Sequence, residues 1–191
     1  MQHLFAAILL SIAVGLTSAI SNIHAPALAG TGRSAATCGD PDDSLVFYRI
    51  HSASTFSYSY GTDLSFVSTA IRNSGYLLDG VMGRVFVTQE ESTVPCYSLL
   101  SNALSDTLLT TNATERDAAV AAGYGVDPAG QTYIYPTEIC GSIPMYRLYN
   151  SPKTSHFVTT SESERLNAIS SGGYADQGIM GYILPATPSA C

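Results

Sequence analysis

The segment from residue 144 to 174, PMYRLYNSPKTSHFVTTSESERLNAISSGGY, decides the fold, because its main features also occur twice earlier in the chain. Tyr48, Tyr97 and Tyr146 lie 49 residues apart, and each stands in an alternating stretch that predicts a half-buried strand. A second short strand is predicted about a dozen residues later, at 56–60, 108–111 and 156–160. Turn-forming Ser, Asn, Pro and Lys residues separate the two strands and therefore predict a hairpin.

A helix of about ten residues is predicted after each hairpin. The N-cap residues share the 49-residue spacing and are Asp63, Asn112 and Ser161. Glu115 and Glu164 follow their N-caps by three residues, which is the spacing of a capping box, whereas the first copy has Phe66 there. The positions predicted to face inward are Ala70-Ile71, Ala119-Val120 and Ala168-Ile169. Glycines suited to a left-handed C-terminus end the helices, and a tyrosine follows each of Gly75, Gly123 and Gly173.

A closing strand completes each copy, at residues 83–87, 132–135 and 181–184. The sequence thus predicts an α+β domain of three strand-strand-helix-strand repeats, at about 46–87, 95–136 and 144–185. A unit of this size cannot bury its own apolar face, so three copies are expected to close around a pseudo-threefold axis and share one core. An open row of units and a β-trefoil-like arrangement are the alternatives.

The third copy carries a recognisable pattern of short motifs. The motifs are YRLYN at 146–150, HFVTTS at 156–161, ER at 164–165, GY at 173–174 and GIMGY at 178–182. They resemble a family of secreted repeat domains of unknown function, whose units read approximately YRLYN, DHFYTTS, ER, GY and EGIAGYV. The resemblance covers nearly all of residues 44–186, is weaker in the first two copies, and implies an accessory role beside hydrolase or adhesion modules.

The first residues read as a secretory signal. An apolar run at 4–16 is too short for a comfortable membrane span, and small residues follow it. We therefore predict a signal peptide at 1–19, with a second candidate cleavage site after Ala29, and a flexible leader at 20–37. The mature domain, residues 38–191, is expected to be extracellular. A retained signal anchor is the alternative, because the run has no Lys or Arg before it.

Charge narrows the range of partners. Eight Lys and Arg face fifteen Asp and Glu, which gives a formal net charge of −7 at pH 7. Nucleic acids and anionic membranes attract clustered cations, so neither is an expected partner. We further expect the protein to be a monomer.

All four cysteines, Cys38, Cys96, Cys140 and Cys191, lie beyond the signal. An even number in a secreted chain predicts two disulfides, and three connectivities are open. Cys38-Gly39 and Cys140-Gly141 each precede a first strand, which favours Cys38 with Cys140 and leaves Cys96 with Cys191. No metal-binding spacing occurs, so no metal is expected.

No nucleophile elbow, zinc-protease motif, P-loop or dinucleotide fingerprint is present, so neither an enzyme nor a cofactor is predicted. Within the predicted mature domain, residues 38–191, the histidines are His51 and His156. Asn112 opens the only N-glycosylation sequon, but it is also a predicted N-cap, and capping would compete with glycosylation.

The sequence favours a non-catalytic extracellular module that binds carbohydrate or cell-wall polymer. Tyrosine rings offer stacking surfaces for sugars, unless they simply fill the core, and neighbouring polar groups give directional hydrogen bonds. The copies differ most in the hairpin, so one site is predicted on the third copy, at Tyr146, Arg147, Tyr149, Asn150 and His156. A secreted effector or inhibitor that binds another protein is the alternative, and a hydrolase is a weaker one.

Overall fold

A computed structural model describes residues 38–128 and 130–187. Over these ranges the protein is a mixed α+β structure of mostly antiparallel strands with three α-helices. The predicted signal peptide and leader lie outside the described residues, as does Cys191. None of the helices in the described ranges is long and apolar enough to cross a membrane.

The same order of elements occurs three times along the chain: two strands, a helix, and then one or two closing strands. We call these three segments the first, second and third units. The first contains β1 (Ser44–Ser52), β2 (Ser57–Gly61), α1 (Leu64–Ser74) and β3 (Leu77–Phe86). The second contains β4 (Val94–Ser101), β5 (Asp106–Thr110), α2 (Ala113–Ala121), β6 (Gly125–Val126) and β7 (Thr132–Ile134). The third contains β8 (Ile143–Asn150), β9 (Ser155–Thr159), α3 (Glu162–Ser170) and β10 (Ala175–Ile183).

Each predicted hairpin is confirmed, since β1 pairs with β2, β4 with β5 and β8 with β9 in antiparallel register. The strands form one sheet in the order β2-β1-β3-β7-β4-β5, with β6 beside β4, and a second in the order β10-β8-β9. The closing strands β3 and β10 are longer than the sequence predicts, because each continues along the first strand of its own unit.

The ends of the three closing strands meet pairwise at one junction. Phe86 pairs with Tyr133, and Tyr135 pairs with Tyr182 through two backbone hydrogen bonds of 2.9 Å. Leu184 pairs with Arg84 through hydrogen bonds of 2.8 and 3.0 Å. The last closing strand is therefore joined to both earlier ones.

The helix termini follow local sequence signals. Asp63, Asn112 and Ser161 are the N-caps, as predicted, and each side chain accepts a hydrogen bond from a backbone N–H of the first turn. Gly75 caps α1 in the left-handed conformation, and Gly123 and Gly173 have positive φ just beyond α2 and α3.

Only half of each predicted inward-facing pair is buried. Ala70, Ala119 and Ala168 are 8–9% exposed, whereas the branched neighbours Ile71, Val120 and Ile169 are 37–44% exposed. A short helix that lies close to a sheet contacts it through one narrow stripe. Small alanines permit this close approach, and the next residue rotates away from the sheet.

One central core is built from all three units. Its buried residues fall into sets spaced 49 residues apart: Phe47, Cys96 and Met145; Tyr60, Leu109 and Val158; Val85, Ile134 and Ile183. A smaller cluster lies under each helix, where Ile50, Leu99 and Leu148 pack against the buried alanines. Tyr48, Tyr97 and Tyr146 are partly buried in these smaller clusters, so their rings pack beneath helices.

A disulfide joins Cys38 to Cys140, the pairing that the sequence favoured, with a Cα–Cα distance of 5.7 Å. Both cysteines pack beside Phe86, Tyr135 and Leu184 at the junction of the closing strands. The predicted partner of Cys96, Cys191, lies outside the described residues; within them Cys96 has a free thiol and is 1% exposed. Cys96 lies at a central-core position, because its matched residues in the other units are Phe47 and Met145.

Candidate functional site

The five predicted site residues do not form one constellation, because β8 directs four of them alternately to its two faces, while His156 lies on β9 opposite Tyr149. Tyr146 and Asn150 lie on the face toward α3, where Tyr146 packs with Leu148 and Ala168. Asn150 is 3% exposed, and its side chain donates to the carbonyl oxygen of Gly172 and accepts from the backbone N–H of Lys153. Its amide thus holds a turn together.

Arg147 lies on the opposite face, where it joins the third unit to the second. Its Nη1 and Nη2 atoms donate to the two carboxylate oxygens of Glu115 at 2.8 Å each, and Nη1 also donates to the carbonyl oxygen of Leu109. Among the described residues, no hydrogen-bond acceptor reaches the buried Nε atom of Arg147. The guanidinium is therefore committed mainly to an inter-unit ion pair.

Arg49 makes the matching ion pair between the first unit and the third. It donates to both oxygens of Glu164 at 2.9 and 3.0 Å and to the carbonyl oxygen of Val158. Here the Nε atom also has a partner, because it donates to Asp79 at 2.8 Å. The predicted capping-box role of Glu115 and Glu164 is consequently wrong, because their carboxylates bind arginines of neighbouring units. Threonine hydroxyls, instead of these carboxylates, accept the hydrogen bonds from the backbone N–H groups of the N-cap residues.

His156 and Tyr149 form a second small group on the Arg147 face. Their rings lie 4.5 Å apart as a cross-strand pair. His156 Nδ1 lies 2.6 Å from Asp106, which is 1% exposed and also accepts from the hydroxyl of Tyr124. Burial alone raises the pKa of Asp106, but the hydrogen bonds from His156 and Tyr124 outweigh it and hold the pKa below its ordinary value.

The strongest candidate site is a cleft between the first and third units, which we call the Arg49 cleft. It has a volume of about 380 Å³. Charged or polar side chains at its walls include Arg49, His51, Asp79, Glu164, Asn167 and Lys153. Aromatic rings at its walls are Phe56, Tyr58, Phe157 and Tyr174.

Ionic contacts fix the polar groups of the Arg49 cleft. The side chain of Arg49 is only 10% exposed and lies between Asp79 and Glu164, with its guanidinium 4.9 Å from the Phe157 ring centre. The hydrogen bond from Arg49 is the main cause that lowers the pKa of Glu164. Asp79 also binds Nδ1 of His51, so Nε2 is the ring nitrogen that remains for a ligand.

The aromatic rings form a continuous edge beside these groups. Tyr58 and Phe157 have ring centres 4.8 Å apart, and Phe157 and Tyr174 have ring centres 5.8 Å apart. At the rim, the ammonium of Lys153 lies 4.2 Å from the ring centre of Phe56. Phe56 is 51% exposed and has a φ of 54°, a left-handed conformation that is costly for a side chain of this size.

Sequence reasoning missed this cleft, although a signal was present. The cross-strand pair that flanks Arg49 is His51 with Tyr58, and the pair that flanks Arg147 is Tyr149 with His156. The two pairs occupy matched positions with the residue types exchanged. A comparison of single positions here shows only differences between the two units, whereas a comparison of the two cross-strand pairs shows that each consists of one histidine and one tyrosine. Within the described ranges, no group of three or more His, Cys, Asp or Glu side chains could hold a metal ion.

Comparison with known proteins identifies the family. Neither a curated protein nor a solved structure matches the chain. The family model described as a domain of unknown function, DUF5648, matches residues 46–184, which extend from β1 to the junction of the closing strands. The chain therefore belongs to the family of proteins with this domain, DUF5648.

Proposed function

We propose that this protein is a non-catalytic extracellular module that binds carbohydrate or a cell-wall polymer through the Arg49 cleft. The observation that carries the proposal is the combination of aromatic rings and fixed polar side chains on the walls of one open cleft. A pyranose ring has apolar faces and a hydroxyl rim, so it is complementary to a wall of this mixed character.

Preorganisation favours binding at the Arg49 cleft. Asp79 orients His51, and Arg49 holds Glu164, so little side-chain entropy remains to be lost when a ligand arrives. Asn167 and Lys153 add donors at the exposed side of the cleft. These groups suit a ligand that presents several hydroxyl or carbonyl oxygens.

The three units are, in this proposal, repeats related by a pseudo-threefold axis. The junction supports the arrangement, because Phe86 pairs with Tyr133, Tyr135 with Tyr182 and Leu184 with Arg84. Arg84, Tyr133 and Tyr182 lie 49 residues apart, and so do Phe86, Tyr135 and Leu184. Each pair joins one residue of the first set to one residue of the second set in another unit. The matched residues of the central core support it in the same way.

Secretion is also part of the proposal. The Cys38–Cys140 disulfide supports it, because disulfides form and persist in oxidising compartments. The apolar run at the start of the sequence supports it independently.

Retention on insoluble polysaccharides tests the binding proposal. The purified protein is incubated with chitin, cellulose, β-glucan and isolated cell walls, and the unbound fraction is measured. His51→Ala and Asn167→Ala are expected to lose retention while their far-ultraviolet spectra stay unchanged. Tyr149→Ala is the matched control, since Tyr149 occupies the His51 position of the third unit and lies outside the cleft. Loss of retention in Tyr149→Ala alone would place the site on the third unit instead.

A secreted protein-interaction role is the second candidate, and one observation favours it. Leu77, Leu78 and Val81 of β3 are 48–56% exposed and flank Asp79 at the edge of the cleft. Exposed apolar side chains grouped in this way are typical of protein contacts. If this role is correct, Leu78→Ser with Val81→Ser abolishes a protein complex, and no polysaccharide retains the wild-type protein.

A further inference from the structure

The contact between the first and second units lacks the ion pair that joins the other units. Arg49 binds Glu164 and Arg147 binds Glu115. In the remaining contact, Ser98 of the second unit occupies the arginine position and Phe66 of the first unit occupies the glutamate position. Both partners are replaced together, so neither an unpaired arginine nor an unpaired carboxylate is left behind. The exchange removes two long polar side chains from this inter-unit contact.

Two adjoining cavities occupy the space beside Ser98 and Phe66. The inner cavity has a volume of about 260 Å³ and the outer one about 180 Å³. They lie side by side, because both are lined by Ser74, Tyr76, Leu100, Asn102 and Thr107. We call the combined space the Ser98 groove. In the part of the chain that the structure describes, it shares no lining residue with the Arg49 cleft.

The inner part of the Ser98 groove has apolar walls. Ile50 and Ala70 are buried in the wall, while Phe66 and Leu100 are 45% and 42% exposed. Phe66 thus offers accessible aromatic surface in the lining of the inner cavity. An aromatic face of this kind can stack against the C–H groups of a sugar ring.

The outer part is lined mainly by hydroxyl groups. The small hydroxyl residues that line it without lining the inner part are Ser52, Ser54, Thr55, Ser57, Ser101 and Ser105. Among the described residues, neither lining includes a Lys, Arg or His side chain, and the carboxylate present is that of Asp127, in the inner lining. A wall of hydroxyls can both donate to and accept from the hydroxyls of a ligand.

We propose that the Ser98 groove is a second binding site, specific for a short neutral saccharide. The apolar inner walls take the face of one sugar ring, and the hydroxyl-lined outer part hydrogen-bonds the rim of the next. Anionic sugars are disfavoured because the lining offers them a carboxylate and no cation. Two sites on one domain would raise the apparent affinity for a polymer that can reach both.

Nuclear magnetic resonance of the ¹⁵N-labelled protein tests this proposal with defined probes. The probes are cellobiose and N,N′-diacetylchitobiose, with glucuronic acid as the anionic comparison. At least one neutral disaccharide is expected to shift the amide signals of Ser98, Asn102 and Thr107 at millimolar concentration, whereas glucuronic acid leaves them unchanged. No shift with either disaccharide, or equal shifts with glucuronic acid, would overturn the proposal.

Restoring the missing ion pair is the decisive variant. Phe66→Glu with Ser98→Arg recreates the arrangement of Arg147 with Glu115 and fills the inner cavity. This double variant is expected to stay folded, to lose the disaccharide shifts at Asn102 and Thr107, and to keep polysaccharide retention through the Arg49 cleft. Persistent shifts in the folded double variant would contradict the proposal. The two binding proposals can therefore be tested separately. His51→Ala affects polysaccharide retention and leaves the Ser98 groove unchanged, whereas the double variant affects the Ser98 groove.

Phe66→Ser keeps the test decisive if the double variant does not fold. Phe66 is 45% exposed, so its removal is compatible with the fold. Loss of the stacking face is expected to weaken disaccharide binding about tenfold. Unchanged affinity in Phe66→Ser would overturn the assignment of the site.

Discussion

Leu184 exchanges two backbone hydrogen bonds with Arg84, so the end of the third unit is fixed to the closing strand of the first. Gly83 lies beside this contact, with a φ of 156°. A Cβ atom at Gly83 would lie 2.5 Å from the carbonyl oxygen of Leu184, which is far closer than ordinary contact.

Gly83→Ala is therefore expected to lower the free energy of unfolding by about 1–3 kcal/mol. The clash is with backbone that is already hydrogen-bonded, so it cannot be relieved by turning a side chain. Urea denaturation measures the loss. Gly125→Ala is the control, because its nearest non-local atom lies 3.7 Å away, and a change of under about 0.5 kcal/mol is expected there. Equal stabilities of the two variants would contradict the close approach at the junction.

The ion pair of Arg49 makes a second prediction. Arg49→Met leaves Asp79 and Glu164 without their cation, and both carboxylates are partly shielded from water. We expect a loss of about 1–3 kcal/mol in the free energy of unfolding, less than for a fully buried pair because Glu164 is 45% exposed. Arg72→Met, at an exposed position of α1, should leave the stability unchanged. A neutral Arg49→Met result would show that the inter-unit ion pair contributes nothing.

A substitution at Gln177 should improve the matching contact of the third unit. Gln177 occupies the position of Asp79, and the Nε atom of Arg147 has no acceptor among the described residues. Gln177→Asp is expected to supply that acceptor and to raise the free energy of unfolding by about 0.5–1.5 kcal/mol. Thermal unfolding at high and low salt measures the gain, which should shrink as salt increases. No gain at low salt would mean that residue 177 cannot reach the guanidinium.

Asp106 makes the protein sensitive to acid. Its pKa in the folded state lies below the ordinary value, so its contribution to stability is present above about pH 4 and is lost as the pH falls further. Glu115 and Glu164 have lowered pKa values as well and act in the same direction. Thus the free energy of unfolding should decrease with falling pH below about 4.

His156→Ala should reduce the Asp106 contribution. The Tyr124 hydroxyl and the backbone N–H of residue 156 still donate to Asp106, but burial opposes them, so the pKa of Asp106 rises towards its unfolded value and less stability is lost on acidification. Chemical denaturation at a series of pH values measures this. Tyr149→Ala, which removes the ring beside His156 but leaves Asp106 paired, is the control and should keep the wild-type pH profile. A His156→Ala profile parallel to that of the wild type would rule out this role for His156.

The Cys96 thiol should be inert in the folded protein. Burial raises the pKa of Cys96 to about 12, so the reactive thiolate is nearly absent at neutral pH. In a Cys191→Ser variant, reaction with a disulfide reagent should be negligible before denaturant is added and complete afterwards. Rapid reaction of the folded variant would contradict the burial of Cys96. Cys96→Ala tests packing, and a loss of about 1–2 kcal/mol is expected from the cavity.

Local features were predictable from the sequence, whereas contacts between units were not. The N-caps at Asp63, Asn112 and Ser161 depend on a few neighbouring residues, and all three were predicted. The spacing from Ser161 to Glu164 also fits a capping box, but the nearby Arg49 of another unit offers the carboxylate a charged partner. The local spacing can be read from the sequence, but the proximity of Arg49 to Glu164 depends on how the units pack against each other.

The candidate site illustrates the same limit. Alternation along β8 separates Tyr146 and Asn150 from Arg147 and Tyr149, a separation that the strand period alone allows one to predict. The Arg49 cleft, in contrast, requires knowing that α3 and β9 of the third unit face β1 of the first. The 49-residue spacing identifies matched positions in the sequence, whereas a ligand contacts residues that the fold brings close together in space.

The pairing of Cys38 with Cys140 also has a consequence for the order of events during oxidative folding. Cys96 lies between them in the chain, so a chain that emerges from its N-terminus exposes Cys38 and Cys96 to an oxidant before Cys140 appears. A bridge between these first two thiols would pull a central-core residue out of place. Productive oxidation therefore requires either that Cys38 and Cys96 stay reduced until the third unit completes the central core around Cys96, or that a thiol isomerase later corrects the mispaired chain.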